Sequence, residues 1–490
     1  MYVSKKNDQT TFFDFNASCS MQLDKNNEWI ILADTLEWEK MEKESHYSEN
    51  FHGDTGHPAK PFRMAIGALI IQKRKNLSDR ALVKEISENP YLQYFIGCTS
   101  FATKCPFTAP CLVAFRKRLT SDIIMICNEV FLATAAPTPE HKDDDPSKTG
   151  DTISSEKDDT TSSETTENSG TVIFDATCSP SNIEYPQDFA LLNKAREKLE
   201  KMIDYFHEEF HPWKKPRTYR KIARKTYLAL ARSKKRTAKK IRSEIRRQLE
   251  HVRRDIGYVK KYIDAGYSLP SKYEEYFETI CELYEQQKYM YDNKTHHVED
   301  RIVSISQPHI RPIVRGKAKS PVEFGAKYDV SIDEKGHARL EKISFDPYNE
   351  GTFLQEMVES YHERTGHYPK RVLVDKIYRT RENIAFCKEH GIRLSGPKLG
   401  RKKADGSGTS KEEYKDNIDR IEVERFFSLD KRCNGAGLIV TKLSETTISS
   451  IAMSVFVTNL FAVPTTRFFC LFFLDNNSSC VMMSFIEMEP

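Results

Sequence analysis

Between Val322 and Leu394 the spacing of apolar residues changes from every second residue, typical of a strand, to helical spacing and back. This order of predicted strands and helices constrains the fold more than any other feature. Apolar residues alternate with mostly polar ones from Val322 to Ile332, a turn sequence occupies 333–336, and the alternation resumes at Ala338. The pattern predicts a β-hairpin with one buried face. It is followed by a predicted helix (352–362), strand (371–375), helix (382–390) and strand (392–394).

An earlier apolar run at 171–175 predicts one more buried strand ahead of the hairpin. Strand–helix–strand units with short loops predict parallel pairing. We therefore expect an α/β fold, in which a mixed sheet has helices on both faces. Its element order is that expected of an RNase H-like fold.

A long helical insertion separates the first strand from the hairpin. Apolar residues recur at steps of four and three from Ile241 to Ile263, a turn is predicted at 265–270, and a return helix begins near Tyr276. This spacing predicts an antiparallel helical hairpin with its basic residues outside the apolar seam. Residues 211–260 hold 19 Lys/Arg against 3 Asp/Glu although the whole chain has a net charge of only +4. Such asymmetry indicates a polyanionic partner, with a solvated helical surface as the alternative.

The amino-terminal third is predicted to be helical. Ser78 is a predicted N-cap, Asn89-Pro90 ends a helix, and the two short helices form either a helix-turn-helix DNA reader or a simple packed unit. Residues 137–170 have almost no apolar side chains and are predicted to be disordered. The expected domains are a helical, DNA-binding domain (1–136), a linker (137–170), a catalytic domain (171–192 and 318–465), a basic insertion (193–317) and an irregular tail (466–490).

The cysteines and the most apolar segment bear on cellular location. Eleven cysteines without a C-x-x-C pair indicate reduced thiols and a cytoplasmic protein. The segment 451–474 contains Asn459, Pro464 and Arg467. We expect a buried terminal helix and an irregular tail there, with no membrane association.

Asp175 and Asp375 each end a predicted apolar strand. Ligand sites lie beyond the carboxyl ends of parallel strands, so neighbouring strands would bring the two carboxylates within a few ångströms. Their repulsion would then require a proton or a cation, and hard divalent ions such as Mg²⁺ take oxygen ligands. Simple capping of each strand end is the alternative.

Arg420, Glu424 and Lys431 share one face of a predicted helix near Ile421. Their spacings of four and seven residues place them within roughly 40° of one line. An Arg and a Lys on either side of a Glu could orient a metal-binding carboxylate and contact DNA phosphates. An ordinary surface ion pair is the alternative.

These residues resemble those of bacterial insertion-sequence DDE transposases, in the branch with a Y-x2-R-x3-E-x6-K signature. Arg420, Glu424 and Lys431 reproduce its last three positions, while Asn417 stands where the tyrosine is usual. The segments 374–383 and 174–193 resemble the second and first catalytic motifs, and 60–100 resembles the amino-terminal domain of the branch. The resemblance covers about 60–130 and 171–460.

The resemblance implies that Asp175, Asp375 and Glu424 bind two Mg²⁺ (or Mn²⁺) ions. Two-metal phosphoryl transfer would then use water to cleave a DNA strand and the freed 3′-OH to join it to a new site. The implied partners are transposon ends and target DNA, bound by a homodimer in a nucleoid-associated complex. No nucleotide cofactor is expected, since Gly396–Gly400 lacks the Walker spacing.

Further DNA contacts are expected outside the metal site. Tyr378 is a candidate for stacking on a base, with core packing as the alternative. Lys234, Lys235 and Arg236 are candidates for phosphate contacts in the insertion. Two other functions stay open from the sequence: a catalytically inactive transposase that only binds DNA, and a structure-specific nuclease on the same fold.

Overall fold

The computed structural model describes residues 11–19, 23–51, 58–135, 167–314, 322–396 and 411–462. Most of the predicted linker and all of the predicted tail lie outside these residues, as do residues 397–400 of the segment that lacks the Walker spacing. The predicted order of strands and helices after residue 170 is found with one addition, because residues 311–314, predicted as part of the helical insertion, form a further strand. The fold is a mixed α/β fold.

Eight helices precede the first strand in the described part of the chain. Ser78 caps α5 as predicted, because its Oγ accepts a hydrogen bond from the Ala81 N–H. The helix α5 ends before Asn89-Pro90, also as predicted. Their bounds are α1 Phe12–Cys19, α2 Glu28–Thr35, α3 Trp38–Glu44, α4 Phe62–Lys75, α5 Asp79–Glu88, α6 Pro90–Phe95, α7 Cys111–Arg118 and α8 Ser121–Ala135.

The remaining elements form a sheet, an insertion of four helices and five further helices. The sheet strands are β1 Thr171–Pro180, β2 Arg311–Val314, β3 Val322–Asp333, β4 Ala338–Ser344, β5 Arg371–Leu373 and β6 Arg393–Leu394. The helices are α9 Asp188–Phe210, α10 Arg220–Ala231, α11 Ala238–Asp264, α12 Ser271–Asn293, α13 Leu354–Thr365, α14 Arg381–Glu389, α15 Lys411–Asp419, α16 Ile421–Cys433 and α17 Ser444–Ala462.

The sheet is mixed and runs in the order β2-β3-β1-β5-β6, with β4 paired to β3. The strands β1 and β3 are antiparallel, whereas β1, β5 and β6 are parallel to one another. One expectation was wrong. The strand β1 does not end at Asp175 but continues to Pro180, because its polar second half still pairs with β3. The close approach at its far end requires Gly325, where a Cβ would lie 2.0 Å from the Ser179 carbonyl oxygen.

Alternating residues of β1 are buried on opposite faces of the sheet. Ile173 packs with the amino-terminal helices, α16 and α17 in the largest core. Val172 and Phe174 pack on the other face against α13 and Tyr378. Because both faces are covered, polar side chains such as Asp329 on β3 are also fully buried.

The helix α17 is buried from Ile451 to Leu460, as expected for the apolar terminal segment. Its Asn459 is satisfied by hydrogen bonds to Asn128 on α8 and to the Ala338 carbonyl, both at 2.7 Å. No helix in the described ranges combines the length and apolarity needed to cross a lipid bilayer.

The insertion forms α9 to α12, in which α11 and α12 are the predicted hairpin. Leu249, Val252, Ile256 and Val259 are buried, as the seam predicts. Ile263, the last member of the seam, is instead 40% exposed, and Tyr262 is buried in its place. The reason is that α11 packs mainly against α9, so its buried face turns away from a strict two-helix seam.

Candidate active site

The register of β1 and β5 brings two acidic residues to the same level. Thr171 pairs with Arg371, and Ile173 pairs with Leu373. Continuing this register by two residues places Asp175 beside Asp375. The pairing with β5 ends at Ile173, whereas β1 continues along β3, so the two carboxylates flank the point where the strands separate. Asp175 therefore keeps its place at the end of the parallel pair although it is not at the end of its own strand.

Asp175 is partly buried, and this raises its pKa to about 6. Burial is the main cause, because a carboxylate loses water there that its charged form needs. The Ala176 N–H donates to Asp175 Oδ1 at 2.9 Å and, together with the Arg420 guanidinium, lowers the pKa. The negative charges of Glu350 and Asp375 raise it. Asp175 is thus an acid whose ionised form lacks sufficient positive partners.

Asp375 lies in a turn and is exposed. Its carboxylate accepts a hydrogen bond from the Lys376 N–H at 2.6 Å and caps the single helical turn Lys376–Tyr378. Asp375 thus caps the helical turn after β5, whereas the alternative had it cap the end of the strand. This cap does not compete with metal binding, because a carboxylate has several acceptor positions.

Two further acids near this point had no distinguishing sequence signal. Asp329 on β3 lies opposite Ala176, is fully buried, and accepts hydrogen bonds from the hydroxyls of Tyr348 and Tyr378. Burial raises the pKa of Asp329 to about 6, and the charge of Glu350 adds to this rise. Glu350 forms an ion pair with Lys327 at 2.6 Å. In the sequence, Asp329 looks like an ordinary polar residue of a strand and Glu350 like an ordinary acid of a loop. Only the folded structure shows that both lie near Asp175.

The helix α16 lies along β1 on the Asp175 side. Lys431 Nζ donates to Thr177 Oγ1 at 2.6 Å, two residues beyond Asp175. At the other end, Arg420 lies close enough to Asp175 to lower its pKa. The helix is fixed from beneath by Asp430, which is buried and accepts a 2.6 Å hydrogen bond from the Tyr328 hydroxyl on β3.

Glu424 lies between Arg420 and Lys431 in sequence and is exposed on α16. It is not among the principal charges that act on Asp175. Within the described ranges, no group of three or more Asp, Glu, His or Cys side chains is arranged to hold a metal ion. The structure thus brings Asp175 and Asp375 together and leaves Glu424 on the neighbouring helix.

Tyr378, the candidate for base stacking, is fully buried. Its hydroxyl donates to Asp329 Oδ1 at 3.1 Å, and its ring belongs to the core beside Val374 and Phe174. This is the position expected from the core-packing alternative. Contact with a base would require the ring to leave the core.

The basic loop between α10 and α11 carries the candidate phosphate contacts of the insertion. Lys234 and Lys235 are exposed. Arg236 folds back on the protein, since it donates to the Gln187 side chain at 3.2 Å and to the Ala231 carbonyl at 2.6 Å. The two lysines are therefore the more accessible of the three.

Comparison with known protein families identifies two parts of the chain. A family model for a transposase DDE domain matches residues 372–461, and a second model, the transposase domain DUF772, matches residues 17–118. Both matches support the identification of the chain as a bacterial insertion-sequence DDE transposase.

The part of the chain that matches the DDE domain model begins in β5, three residues before Asp375, and includes Arg420, Glu424 and Lys431. An uncharacterized protein of Rhizobium meliloti, ORF8 in the nfe locus, is 27% identical over 115 residues. That match covers 23% of this chain and 54% of the Rhizobium protein, so this chain spans about half the length of the curated relative. No solved structure matches the chain.

Proposed function

We propose that this chain catalyses divalent-metal-dependent cleavage and strand transfer of DNA at insertion-sequence ends. Asp175, Asp375 and Glu424 are the proposed metal ligands. The observation that carries the proposal is that Asp375 lies close enough to Asp175 to raise its pKa, just beyond the point where the pairing of β1 and β5 ends. The transposase family match, which spans Asp375 and Glu424, supports it independently.

The donor chemistry fits a pair of Mg²⁺ or Mn²⁺ ions. A buried carboxylate with a raised pKa beside two other acids favours a bound cation, because the cation restores its ionised form. When bound, the ions would make a hydroxyl nucleophilic and stabilise the leaving 3′ oxygen. Glu424 would complete the ligand set by reaching from α16 toward β1.

The basic residues on α16 have separate proposed roles. Arg420 lies beside Asp175, where its guanidinium favours the ionised carboxylate and can contact a DNA phosphate. Lys431, held by Thr177, fixes the distance between α16 and β1. Both positive charges would attract the DNA backbone to the carboxylates.

The proposal also covers the remaining DNA contacts and the assembly. Lys234 and Lys235 would bind phosphates of the transposon end. The active complex would be a homodimer in which each subunit has an RNase H-like catalytic domain. Neither Tyr378 nor Arg236 is assigned a DNA contact, because Tyr378 is buried in the core and Arg236 is hydrogen-bonded to the protein itself.

A supercoiled-plasmid nicking assay tests this function. The wild-type protein should nick a plasmid carrying the insertion-sequence ends in Mg²⁺ but not in EDTA, and Asp375→Ala should reduce the rate by about a thousand-fold or more. Glu382→Ala, which removes an exposed acid from the nearby α14, should retain the wild-type rate. Undiminished nicking by Asp375→Ala would reject this site. DNA binding without metal-dependent nicking by the wild type would identify an inactive, DNA-binding transposase instead.

A further inference from the structure

A basic and aromatic surface lies on the insertion, away from the acids described above. It is an open concavity of about 540 Å³ between α9 and the start of α12. Three lysines and three tyrosines line it beside Pro270, and none of its described lining residues is acidic. We name this surface the lysine–tyrosine patch; its members are Lys198, Lys201, Tyr205, Lys272, Tyr273 and Tyr276.

The positive charges of the lysine–tyrosine patch are not neutralised by the described part of the protein. Lys198 Nζ lies 3.3 Å from the centre of the Tyr276 ring. Burial lowers the pKa of Lys198, and the neighbouring charges of Lys201 and Lys272 lower it further. None of the three forms an ion pair with a described carboxylate. By contrast, Lys194 on the same helix pairs with Glu184 at 2.5 Å.

The start of α12 adds to this positive potential. The helix begins at Ser271 directly after Pro270, and no side chain caps it. The first N–H groups of a long helix carry a partial positive charge and attract anions. Lys272 and Tyr273 therefore lie at the positive end of a 23-residue helix, although the first turn also carries one acid, Glu274, which does not line the patch.

The patch connects to the end of β1. Lys198 also lines a smaller cavity of about 170 Å³, together with Asn182, Lys194 and Lys442. Asn182 follows β1 by two residues. That cavity also contains one acid, Glu184, which pairs with Lys194, so Lys198 is the residue that links it to the patch. The patch begins about 15 Å along α9.

We propose that the lysine–tyrosine patch binds the phosphate backbone of DNA. The proposal rests on the proposed function and extends it by naming a second contact surface. The three ammonium groups would contact successive phosphates, and the tyrosine hydroxyls would donate to phosphate oxygens. The contact is independent of base sequence. It differs from that of the 234–236 loop, which lies between α10 and α11 and contains no aromatic residue.

DNA binding at several salt concentrations tests the patch. The probe is a fluorescently labelled duplex of arbitrary sequence, followed by anisotropy in EDTA so that no cleavage occurs. The triple variant Lys198→Gln/Lys201→Gln/Lys272→Gln should reduce the log–log salt slope by about 2 to 3, since each phosphate contact contributes about 0.9. The control variant Lys225→Gln/Lys239→Gln/Lys260→Gln removes the same charge from exposed positions of the insertion and should change the slope by about 1 or less.

The double variant Lys201→Gln/Lys272→Gln keeps Lys198 over Tyr276, so it protects the packing if the triple variant folds poorly. It should still reduce the slope by about 2. A wild-type slope in the folded double variant would overturn the proposal. Retained DNA binding with lost binding of a polyglutamate peptide would also overturn it, because the patch would then take an acidic protein segment.

The outcome is separable from that of the nicking assay. Nicking that depends on Asp375 together with an unchanged slope would reject the patch and keep the proposed function. A reduced slope in a protein that never nicks DNA would keep the patch as a DNA contact and reject catalysis.

Discussion

The edge between β1 and β5 and the exposed face of α16 contribute to the candidate site in different ways. At the strand edge, the register of β1 and β5 leads to Asp175 on one strand and to Asp375 two residues after the end of the other. On α16, Glu424 depends on how the helix packs against the sheet, and its own side chain is exposed. A site built from both is rigid at the strand edge and adjustable on α16 only through the exposed side chain of Glu424, because Asp430 and Lys431 hold the helix itself. The three acids would therefore meet around metal only when the Glu424 side chain turns toward β1.

After Asp375→Ala, the largest expected effect concerns the adjustable side of the site, the Glu424 side chain. Glu424→Ala should reduce metal-dependent nicking by about a hundred-fold or more, because a ligand missing from one metal site weakens transition-state stabilisation. The matched control is Glu422→Ala, two residues away on the same helix, whose carboxylate pairs with Arg425. A similar modest loss in both variants would show that Glu424 acts only through the general charge of the helix.

The second effect concerns Asp175 at the rigid strand edge, and the quantity measured is the free energy of unfolding. Asp175→Asn should raise the free energy of unfolding of the metal-free protein at pH 7 by about 1–2 kcal/mol, since the penalty of a partly buried charge disappears. Chemical denaturation of both proteins between pH 3 and pH 8 provides the measurement.

The pH window for this effect follows from the pKa of Asp175. Its folded pKa of about 6 lies above the ordinary value of 3.8, so between these values the folded state binds more protons than the unfolded state. Wild-type stability from this group therefore falls as pH rises through the window. The advantage of Asp175→Asn should vanish below about pH 4 and be complete above about pH 6. Asp329 and Asp430 also have raised pKa values, but they are common to both proteins. An advantage of equal size at pH 3 would contradict the account.

The smallest effect sharpens the link between the two sides. Lys431→Gln should lower the nicking rate by about ten-fold, because the charge is lost while a hydrogen bond to Thr177 remains possible. Thr177→Val removes the same contact from β1 and should lower the rate by a similar or smaller factor. Both rates come from the plasmid assay at saturating DNA. A wild-type rate in Lys431→Gln would remove any role for this lysine in positioning α16.

The sequence predicted the parts of the site that depend on local pattern. Short apolar runs marked β1 and β5, and helical spacing placed Glu424 between Arg420 and Lys431. The extension of β1 to Pro180 was missed because its second half is polar, and its strand conformation depends on pairing with β3. The residue pattern of 176–180 alone does not show that β3 pairs with it.

Asp329 and Glu350 show the same limit in the site itself. Each is unremarkable in its own segment, and their closeness to Asp175 arises from the way β3 and the loop before α13 fold around β1. Tyr378 illustrates the converse, since a tyrosine one turn past an acid allowed both a stacking and a core role. Its burial beside Asp329 depends on packing that spacing alone does not specify.

Binding of Mn²⁺ in the presence of cleaved transposon-end DNA tests the central claim most directly. Electron paramagnetic resonance of free Mn²⁺ would give the affinity for wild type, Asp375→Ala, Glu424→Ala and the control Glu422→Ala. The account predicts that each of the first two substitutions weakens Mn²⁺ binding by at least about ten-fold and that the control does not. Wild-type Mn²⁺ affinity in both Asp375→Ala and Glu424→Ala would contradict it.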